Sequence, residues 1–120
     1  MIPITKPSLN KSDLKYLKQA VNSKILTDGF FQKETEKLIK KFIKSKFIAL
    51  TQSCTAALEI ASIIINLKKN DEVIMPSFTI ISNAMAIVKS SAKPILVDVD
   101  LYTWNIKIED IEKKISKRTK

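Results

Sequence analysis

The sequence predicts an α/β fold with a mainly parallel sheet, and three features support this prediction. Short apolar runs rich in β-branched residues, at 72–75 and 94–99, have the length and composition of strands. Runs with helical periodicity lie before, between and after them. A further apolar run, Phe47 to Leu50, passes through small polar residues into an apolar helical stretch. Strands that alternate with helices form parallel sheets through crossover connections.

An extended segment and a capped helix are predicted at the N-terminus. Pro3 and Pro7 disfavour helix in the first residues. Asn10, followed three residues later by Asp13, is typical of a capping box. The apolar positions beyond it repeat at helical spacing. We therefore expect the first helix over residues 11–22.

A turn at Asp28 and Gly29 separates this helix from a second one. Phe30 and Phe31 follow the turn, and they serve either as buried anchors or as contacts to another surface. The second helix is predicted over residues 32–45, with a narrow apolar stripe on an otherwise charged cylinder. Such a helix packs on the outside of a core.

Phe47 to Leu50 is predicted as a strand, and a tight turn joins it to a helix over residues 55–67. Because this helix is apolar almost all round, we expect it to be buried against the sheet. Pro76 ends the next predicted strand. The remaining elements are expected at residues 72–75 (strand), 79–89 (helix), 94–99 (strand) and 109–115 (helix).

The turn before the third helix is a candidate anion site. The first backbone N–H groups of a helix have no partners within the helix, and the helix dipole adds partial positive charge there. A phosphate therefore fits such a turn. Ser53 and Thr55 could add hydroxyl donors, with Cys54 between them. Alternatively, Ser53 or Thr55 merely caps the helix, and Cys54 is either a nucleophile or a small packing residue.

Ligands of open parallel sheets bind at the carboxyl ends of the strands, so two more turns belong to the candidate site. Residues 77–80 would line a wall beside the phosphate, although Phe78 could equally be a core residue. Asp98 and Asp100 would point the same way only if the strand continued through Asp100. The alternative for these two carboxylates is a solvated strand end.

Composition excludes several classes of site. The chain of 120 residues has no histidine, one cysteine and one glycine. An internal disulfide, a histidine-containing metal site, a Ser-His-Asp triad and a glycine-rich phosphate loop are therefore excluded, and no metal site is expected. The formal charge of +9 is spread among glutamates, so we expect neither a nucleic-acid nor a membrane partner. With no spanning segment or signal peptide in the sequence, a cytoplasmic location is expected.

Taken in order, five segments resemble the start of the DegT/DnrJ/EryC1/StrS family of nucleotide-sugar aminotransferases, which depend on pyridoxal 5'-phosphate (PLP). The resemblance implies the N-terminal part of a fold-type I large domain, a truncated three-layer α/β/α structure. Residues 1–46 would be an N-terminal segment with two helices, and residues 47–120 the first part of the PLP-binding domain. The segments are IPITKPSL, KILTDGFFQKETEKLIKKF, TQSCTAALEIA, NDEVIMPSFTIISNAMAIV and SAKPILVDVDLYTWNIKIEDIEKKI.

The resemblance assigns cofactor contacts to the turn that begins at Ser53. It implies that the phosphate is bound by the backbone of Cys54 and Ala56 and by the side chain of Thr55. Cys54 stands where the family more often has glycine, which narrows the space beside the phosphate. Ile80 occupies a position that commonly carries an aromatic residue stacked on the pyridine ring, so stacking is lost or reduced to aliphatic packing.

The resemblance also implies an activity and partners. The full enzyme would be a homodimer that transfers an amino group from glutamate to a keto-deoxysugar nucleotide, in cell-surface polysaccharide or amino-sugar biosynthesis. Leu26, Thr27 and Gly29 would lie near the substrate mouth and the dimer interface, or else in a plain loop. The segment 103–105 resembles members that act on GDP- or dTDP-linked 4-keto-6-deoxy sugars.

No catalytic residue is assigned within this chain. The lysine that binds the cofactor covalently in the family would lie beyond Lys120, so the 120 residues alone are expected to be an inactive N-terminal fragment. A PLP-dependent sugar dehydratase, in which that lysine is replaced, is an alternative within the family. A basic binding module without enzymatic activity is an alternative from another class.

Overall fold

The computed structural model describes residues 2–25 and 27–120. It divides into two units, Met1–Leu50 and Thr51–Lys120, and each is described by itself. The first unit contains two helices, and the second contains a two-stranded sheet with three helices. In chain order the elements are α1 (Lys11–Asn22), α2 (Phe30–Ile43), α3 (Cys54–Ile64), β1 (Glu72–Pro76), α4 (Ile81–Lys89), β2 (Lys93–Val97) and α5 (Ile108–Lys114).

The capping box predicted for the first helix is confirmed. The Asn10 side chain accepts hydrogen bonds from the backbone N–H groups of Ser12 (2.8 Å) and Asp13 (3.3 Å). The Asp13 carboxylate in turn accepts the Asn10 N–H at 2.7 Å. These bonds satisfy N–H groups that the helix itself leaves without partners. The helix therefore begins at Lys11, as predicted.

The second helix begins two residues earlier than predicted, at Phe30, and ends at Ile43. Lys44 caps its C-terminus in the left-handed conformation, with φ of 54°. The Phe31 ring packs edge-to-face on Tyr16 of α1, with centroids 5.9 Å apart. Phe30 is 68% exposed, whereas Phe31 makes the aromatic contact with α1. No described residue of this unit is fully buried.

The prediction of a strand over Phe47 to Leu50 is wrong for this structure. These four residues carry no strand assignment, and Phe47 is 78% exposed. A strand requires a neighbour that pairs with its backbone groups. Among the described residues, no strand pairs with this run.

The parallel pairing predicted for the next two strands is confirmed. β1 and β2 pair in parallel with Ile74 opposite Ile95. α4 connects them and packs against the sheet through Ile87, which forms the core with Met75 and Ala92. β2 ends at Val97, two residues earlier than predicted.

α3 differs from its prediction in both length and burial. It ends at Ile64, three residues early, and Asn66 then adopts the left-handed conformation with φ of 56°. It packs mainly against α4, and Ser62 is its only buried residue. Ile63 and Ile64 are 73% and 76% exposed. The face of α3 that carries these two residues therefore has nothing to pack against among the described residues.

The end of the chain lies beside the second edge of β1. Glu72 donates its backbone N–H to the Arg118 carbonyl at 2.8 Å, and its own carbonyl accepts the Lys120 N–H at 3.0 Å. The buried Glu72 carboxylate also accepts the Ser116 hydroxyl and pairs with the Arg118 guanidinium. The segment 118–120 therefore adds a parallel bridge to the sheet.

The contacts of Glu72 predict a pH-dependent contribution to stability. The Ser116 hydroxyl, with the Arg118 charge adding to it, holds the pKa of Glu72 below its ordinary value, although burial opposes this. A carboxyl whose pKa is lower in the folded state stabilises the fold above its unfolded-state pKa, and this stability is lost as the pH falls through the folded-state pKa. Glu72→Gln is therefore expected to lower the free energy of unfolding at pH 7, and by much less at pH 3.

Urea unfolding at the two pH values measures this difference. Glu112→Gln, on the exposed face of α5, is the matched control and should have little effect at either pH. An equal loss of stability at pH 7 and pH 3 for Glu72→Gln would show that the charge of Glu72 is not what stabilises the fold.

Candidate functional site

The N-terminus of α3 presents free backbone donors. Ser53 is the N-cap residue, and its hydroxyl oxygen accepts the Ala56 N–H at 3.1 Å. Within the described part of the chain, no acceptor is paired with the N–H groups of Cys54 and Thr55. The first turn of this eleven-residue helix contains no acidic residue. The helix end therefore has two free donors and a favourable dipole for an anion.

Thr55 connects this helix end to α4. Its hydroxyl donates to the Ser82 hydroxyl oxygen at 3.1 Å, across 27 positions of sequence. Ser82 is thereby a neighbour of the candidate anion site, and sequence analysis missed it. The available signal was a hydroxyl residue in the first turn of a helix that begins at the carboxyl end of a strand. Sequence alone does not show that Ser82 lies on the side of α4 that faces α3; the packing of the two helices shows it.

Cys54 is exposed, which argues against the alternative that it is a small packing residue. It is the first residue of α3, and its side chain lies outside the core. A charged side chain at position 54 would lie at the same helix end as an anion bound there.

Residues 77–80 connect β1 to α4. The Ser77 N–H donates to the Val97 carbonyl at 2.8 Å, which ties the start of this loop to β2. The Asn83 amide donates to the Thr79 hydroxyl oxygen at 2.7 Å, which ties its end to α4. Ile80 is the N-cap residue of α4 and is 72% exposed. Its aliphatic side chain is therefore available to pack on a ligand at the carboxyl end of the sheet.

Phe78 is not a core residue. Its ring packs on Trp104 at a centroid separation of 4.8 Å and an interplanar angle of 58°. The two side chains are 62% and 60% exposed, respectively. The pair joins the β1–α4 loop to the turn that follows β2.

Asp98 and Asp100 do not form a pair on one strand face, because β2 ends at Val97. The Asp100 carboxylate accepts the backbone N–H groups of Thr103 (2.8 Å) and Tyr102 (3.0 Å). These bonds, led by those from Thr103, hold the pKa of Asp100 below its ordinary value. Asp100 therefore organises a turn, and Asp98 is exposed at the strand end.

The remaining predicted residues belong to the first unit. Thr27 is exposed, and Gly29 is the N-cap residue of α2 with φ of −80°, a backbone conformation open to any residue. Leu26 lies outside the described residues. A Cβ atom at Gly29 would approach the Ile25 carbonyl oxygen to 3.1 Å, so close packing is the reason for glycine here.

Comparison with known proteins identifies the family. The DegT/DnrJ/EryC1/StrS aminotransferase family profile matches residues 7–120. The chain belongs to this family. Members of the DegT/DnrJ/EryC1/StrS family are PLP-dependent aminotransferases, so the predicted fold class and family are confirmed.

Two relatives align over nearly the whole chain. A GDP-perosamine synthase of Vibrio cholerae is 31% identical over 121 residues, which covers 100% of this chain and 33% of the relative. An uncharacterized protein of Methanocaldococcus jannaschii is 34% identical over 119 residues, which covers 99% of this chain and 31% of that protein. The chain thus spans about a third of the length of the relatives that it matches.

Solved structures share the fold. The PLP form of Spr1654 from Streptococcus pneumoniae, assigned as a sugar aminotransferase, superposes with a TM-score of 0.90 at 26% identity, covering 99% of this chain and 30% of that chain. An E. coli GDP-4-keto-6-deoxy-D-mannose-3-dehydratase with bound hydrated PLP superposes with a TM-score of 0.86 at 27% identity, covering 98% of this chain and 32% of that chain. Both aminotransferase and dehydratase chemistry therefore occur on this fold with the same cofactor.

The described residues contain neither a candidate membrane span nor a candidate metal cluster. No helix there is long and apolar enough to cross a membrane. No group of three or more potential metal ligands among His, Cys, Asp and Glu occurs in that same part of the chain.

Proposed function

We propose that this chain is the N-terminal third of a PLP-dependent sugar aminotransferase. The full enzyme would transfer the amino group of glutamate to the keto group of a nucleotide-activated deoxysugar. Family membership supports the reaction class, and similarity to a GDP-perosamine synthase supports the substrate class. The observation that carries the proposal for this chain is the pair of free N–H groups at the start of α3, beside two hydroxyl groups.

In this proposal the α3 N-terminus binds the phosphate of PLP. The N–H groups of Cys54 and Thr55 donate to it, and the Ser82 hydroxyl adds a third donor. The Thr55 hydroxyl donates to the phosphate only if it releases Ser82, because its proton is used in that bond in the structure. The Ala56 N–H contributes only if the Ser53 hydroxyl releases it, because that bond is made in the structure. Phosphate binding at such a helix end needs no basic side chain, since the dipole and the N–H groups supply the positive potential.

Ile80 is proposed to pack on the cofactor ring. An aliphatic side chain excludes water from one face of the ring, but it lacks the π system of an aromatic residue. When bound, PLP supplies an electron sink that stabilises negative charge on the amino donor. The residues of this chain bind and orient the cofactor; none of them is assigned a proton-transfer role.

The parts of the enzyme outside this chain are also proposed from the family. The lysine that binds PLP covalently would be supplied by sequence that follows residue 120, so the 120 residues alone would be inactive. The enzyme would be a cytoplasmic homodimer with a role in polysaccharide or amino-sugar biosynthesis. Leu26, Thr27 and Gly29 would lie near its substrate entrance and dimer interface.

A sugar 3-dehydratase is the second candidate function. The similarity of this chain to the E. coli dehydratase structure, with a TM-score of 0.86, supports this second candidate. Both candidates use PLP and glutamate, so cofactor binding does not separate them. The fate of the amino group distinguishes the two candidates, because an aminotransferase leaves it on the sugar product and the dehydratase does not.

The protein produced from its complete coding sequence, loaded with PLP, provides the test. Glutamate should convert the cofactor to its amino form, with loss of PLP absorbance. Addition of GDP-4-keto-6-deoxymannose should restore that absorbance and yield an amino sugar, detected by mass spectrometry, and the dTDP-linked sugar tests the nucleotide. A deoxygenated product without nitrogen would support the dehydratase instead. No spectral change with glutamate would contradict both candidates.

A further inference from the structure

We propose that Trp104 is a positioning residue for the cofactor pocket. Its ring holds Phe78 and thereby fixes the β1–α4 loop, residues 77–80, which ends at Ile80. This inference rests on the proposed function, because it gives Ile80 its ligand. Trp104 itself would not touch the cofactor.

The backbone of Trp104 is held in an unusual conformation. Its φ of 60° lies in the left-handed region, which bulky side chains rarely adopt. The Trp104 N–H donates to the Asp100 carbonyl at 2.9 Å, and the Asp100 N–H donates to the Asn105 carbonyl at 2.9 Å. A bridge between Val99 and Ile106 closes the turn at its base. The surrounding hydrogen bonds therefore hold the backbone of this turn, from which the indole ring reaches Phe78.

From this backbone conformation, the Trp104 ring contacts Phe78 in the β1–α4 loop. The two ring centroids lie 4.8 Å apart, within the range of favourable aromatic pairs. Because both side chains are about three-fifths exposed, the contact does not serve to fill the core. It joins two loops at the carboxyl end of the sheet, where ligands of such folds bind.

Phe78 lies between the two hydrogen-bonded ends of the β1–α4 loop. Ser77 is tied to β2 at one end, and Thr79 is tied to Asn83 of α4 at the other. Ile80 has no side-chain polar group with which to cap α4. Among the described residues, the contact with Trp104 is what restrains the Phe78 side chain, two residues before Ile80. Loss of the Trp104 ring should let Phe78 and Ile80 sample other positions.

A set of five variants in the protein from its complete coding sequence tests this role. Trp104→Ala and Phe78→Ala should each raise the dissociation constant of PLP by roughly threefold to tenfold, the range for an aromatic pair. The double variant should bind PLP no more weakly than the weaker-binding of the two single variants, because both substitutions remove the same contact. Trp104→Phe retains a ring and should restore most of the affinity. Tyr102→Ala is the matched control, since Tyr102 lies in the same turn and is 93% exposed.

Three measurements separate positioning from a general effect on folding. PLP affinity is measured by spectroscopic titration, and the melting temperature without PLP is measured in parallel. Amide hydrogen exchange of residues 78–83 reports directly on the loop. The proposal expects weaker PLP binding and faster exchange in Trp104→Ala, with wild-type values in Tyr102→Ala and a global melting temperature close to that of the wild type.

The outcomes distinguish this inference from the function on which it rests. If the wild type binds PLP and Trp104→Ala binds it equally well, the positioning role is overturned and the proposed function stands. If the wild type does not bind PLP, the proposed function fails. Unchanged exchange of residues 78–83 in Trp104→Ala would overturn the positioning role with or without the cofactor, and additive losses in the double variant would do the same.

Discussion

Cys54→Asp is expected to weaken PLP binding about a hundredfold or more while leaving the fold intact. The new carboxylate would stand at the first residue of α3, beside the N–H groups proposed to bind the phosphate. Two like charges about 4–5 Å apart repel by roughly 3–4 kcal/mol at the effective dielectric constant of a protein surface. Tenfold in affinity corresponds to about 1.4 kcal/mol.

The same substitution should not destabilise the protein, because an acidic residue in the first turn of a helix interacts favourably with its dipole by about 0.3–1 kcal/mol. Stability and cofactor affinity are therefore expected to move in opposite directions. Cys54→Asn is the matched neutral control and should retain PLP affinity within a few fold. PLP titration and thermal unfolding of the three proteins measure both quantities. Equal PLP affinity in Cys54→Asp and Cys54→Asn would place the phosphate elsewhere.

Ile87→Ala is expected to lower the free energy of unfolding by about 2–4 kcal/mol. Ile87 is 6% exposed and packs in the core with Met75 and Ala92, where α4 covers the sheet. Removing its side chain leaves a cavity at the contact between α4 and β1 that the neighbouring residues fill only in part. Because few residues of this unit are buried, each of them contributes a large share of its stability.

Ile63→Ala on α3 is the control for the loss of an isoleucine from a helix. Ile63 is 73% exposed, so its truncation should change stability by no more than about 0.5 kcal/mol. Chemical denaturation of both variants gives the comparison. A loss for Ile63→Ala as large as that for Ile87→Ala would mean that the face of α3 carrying Ile63 is covered in the complete protein.

Local signals predicted a large part of this fold. The capping box at Asn10 placed the start of α1 to the residue, because the two hydrogen bonds that define it lie within four positions of sequence. The β-branched runs placed β1 and β2, and the intervening helix indicated their parallel pairing. The small polar residues before α3 predicted a helix N-terminus, and Ser53 is its N-cap.

Features that depend on distant parts of the chain were not predictable in the same way. Phe47 to Leu50 has the composition of a strand, but strand formation depends on a partner that the described residues do not supply. The apolar surface of α3 indicated burial, whereas only its α4 side is packed. Ser82 became a site residue through one hydrogen bond across 27 positions. Trp104 gained its proposed role through a contact with Phe78 and a backbone conformation that no local pattern signals.

A crystal structure of the protein from its complete coding sequence with bound PLP tests the central claim most directly. We expect the cofactor phosphate at the N-terminus of α3, with its oxygens about 2.7–3.2 Å from the backbone nitrogens of Cys54 and Thr55. The Thr55 or Ser82 hydroxyl should lie within the same distance, and Ile80 should pack against the ring. A phosphate bound elsewhere, with no contact to the first turn of α3, would contradict the account.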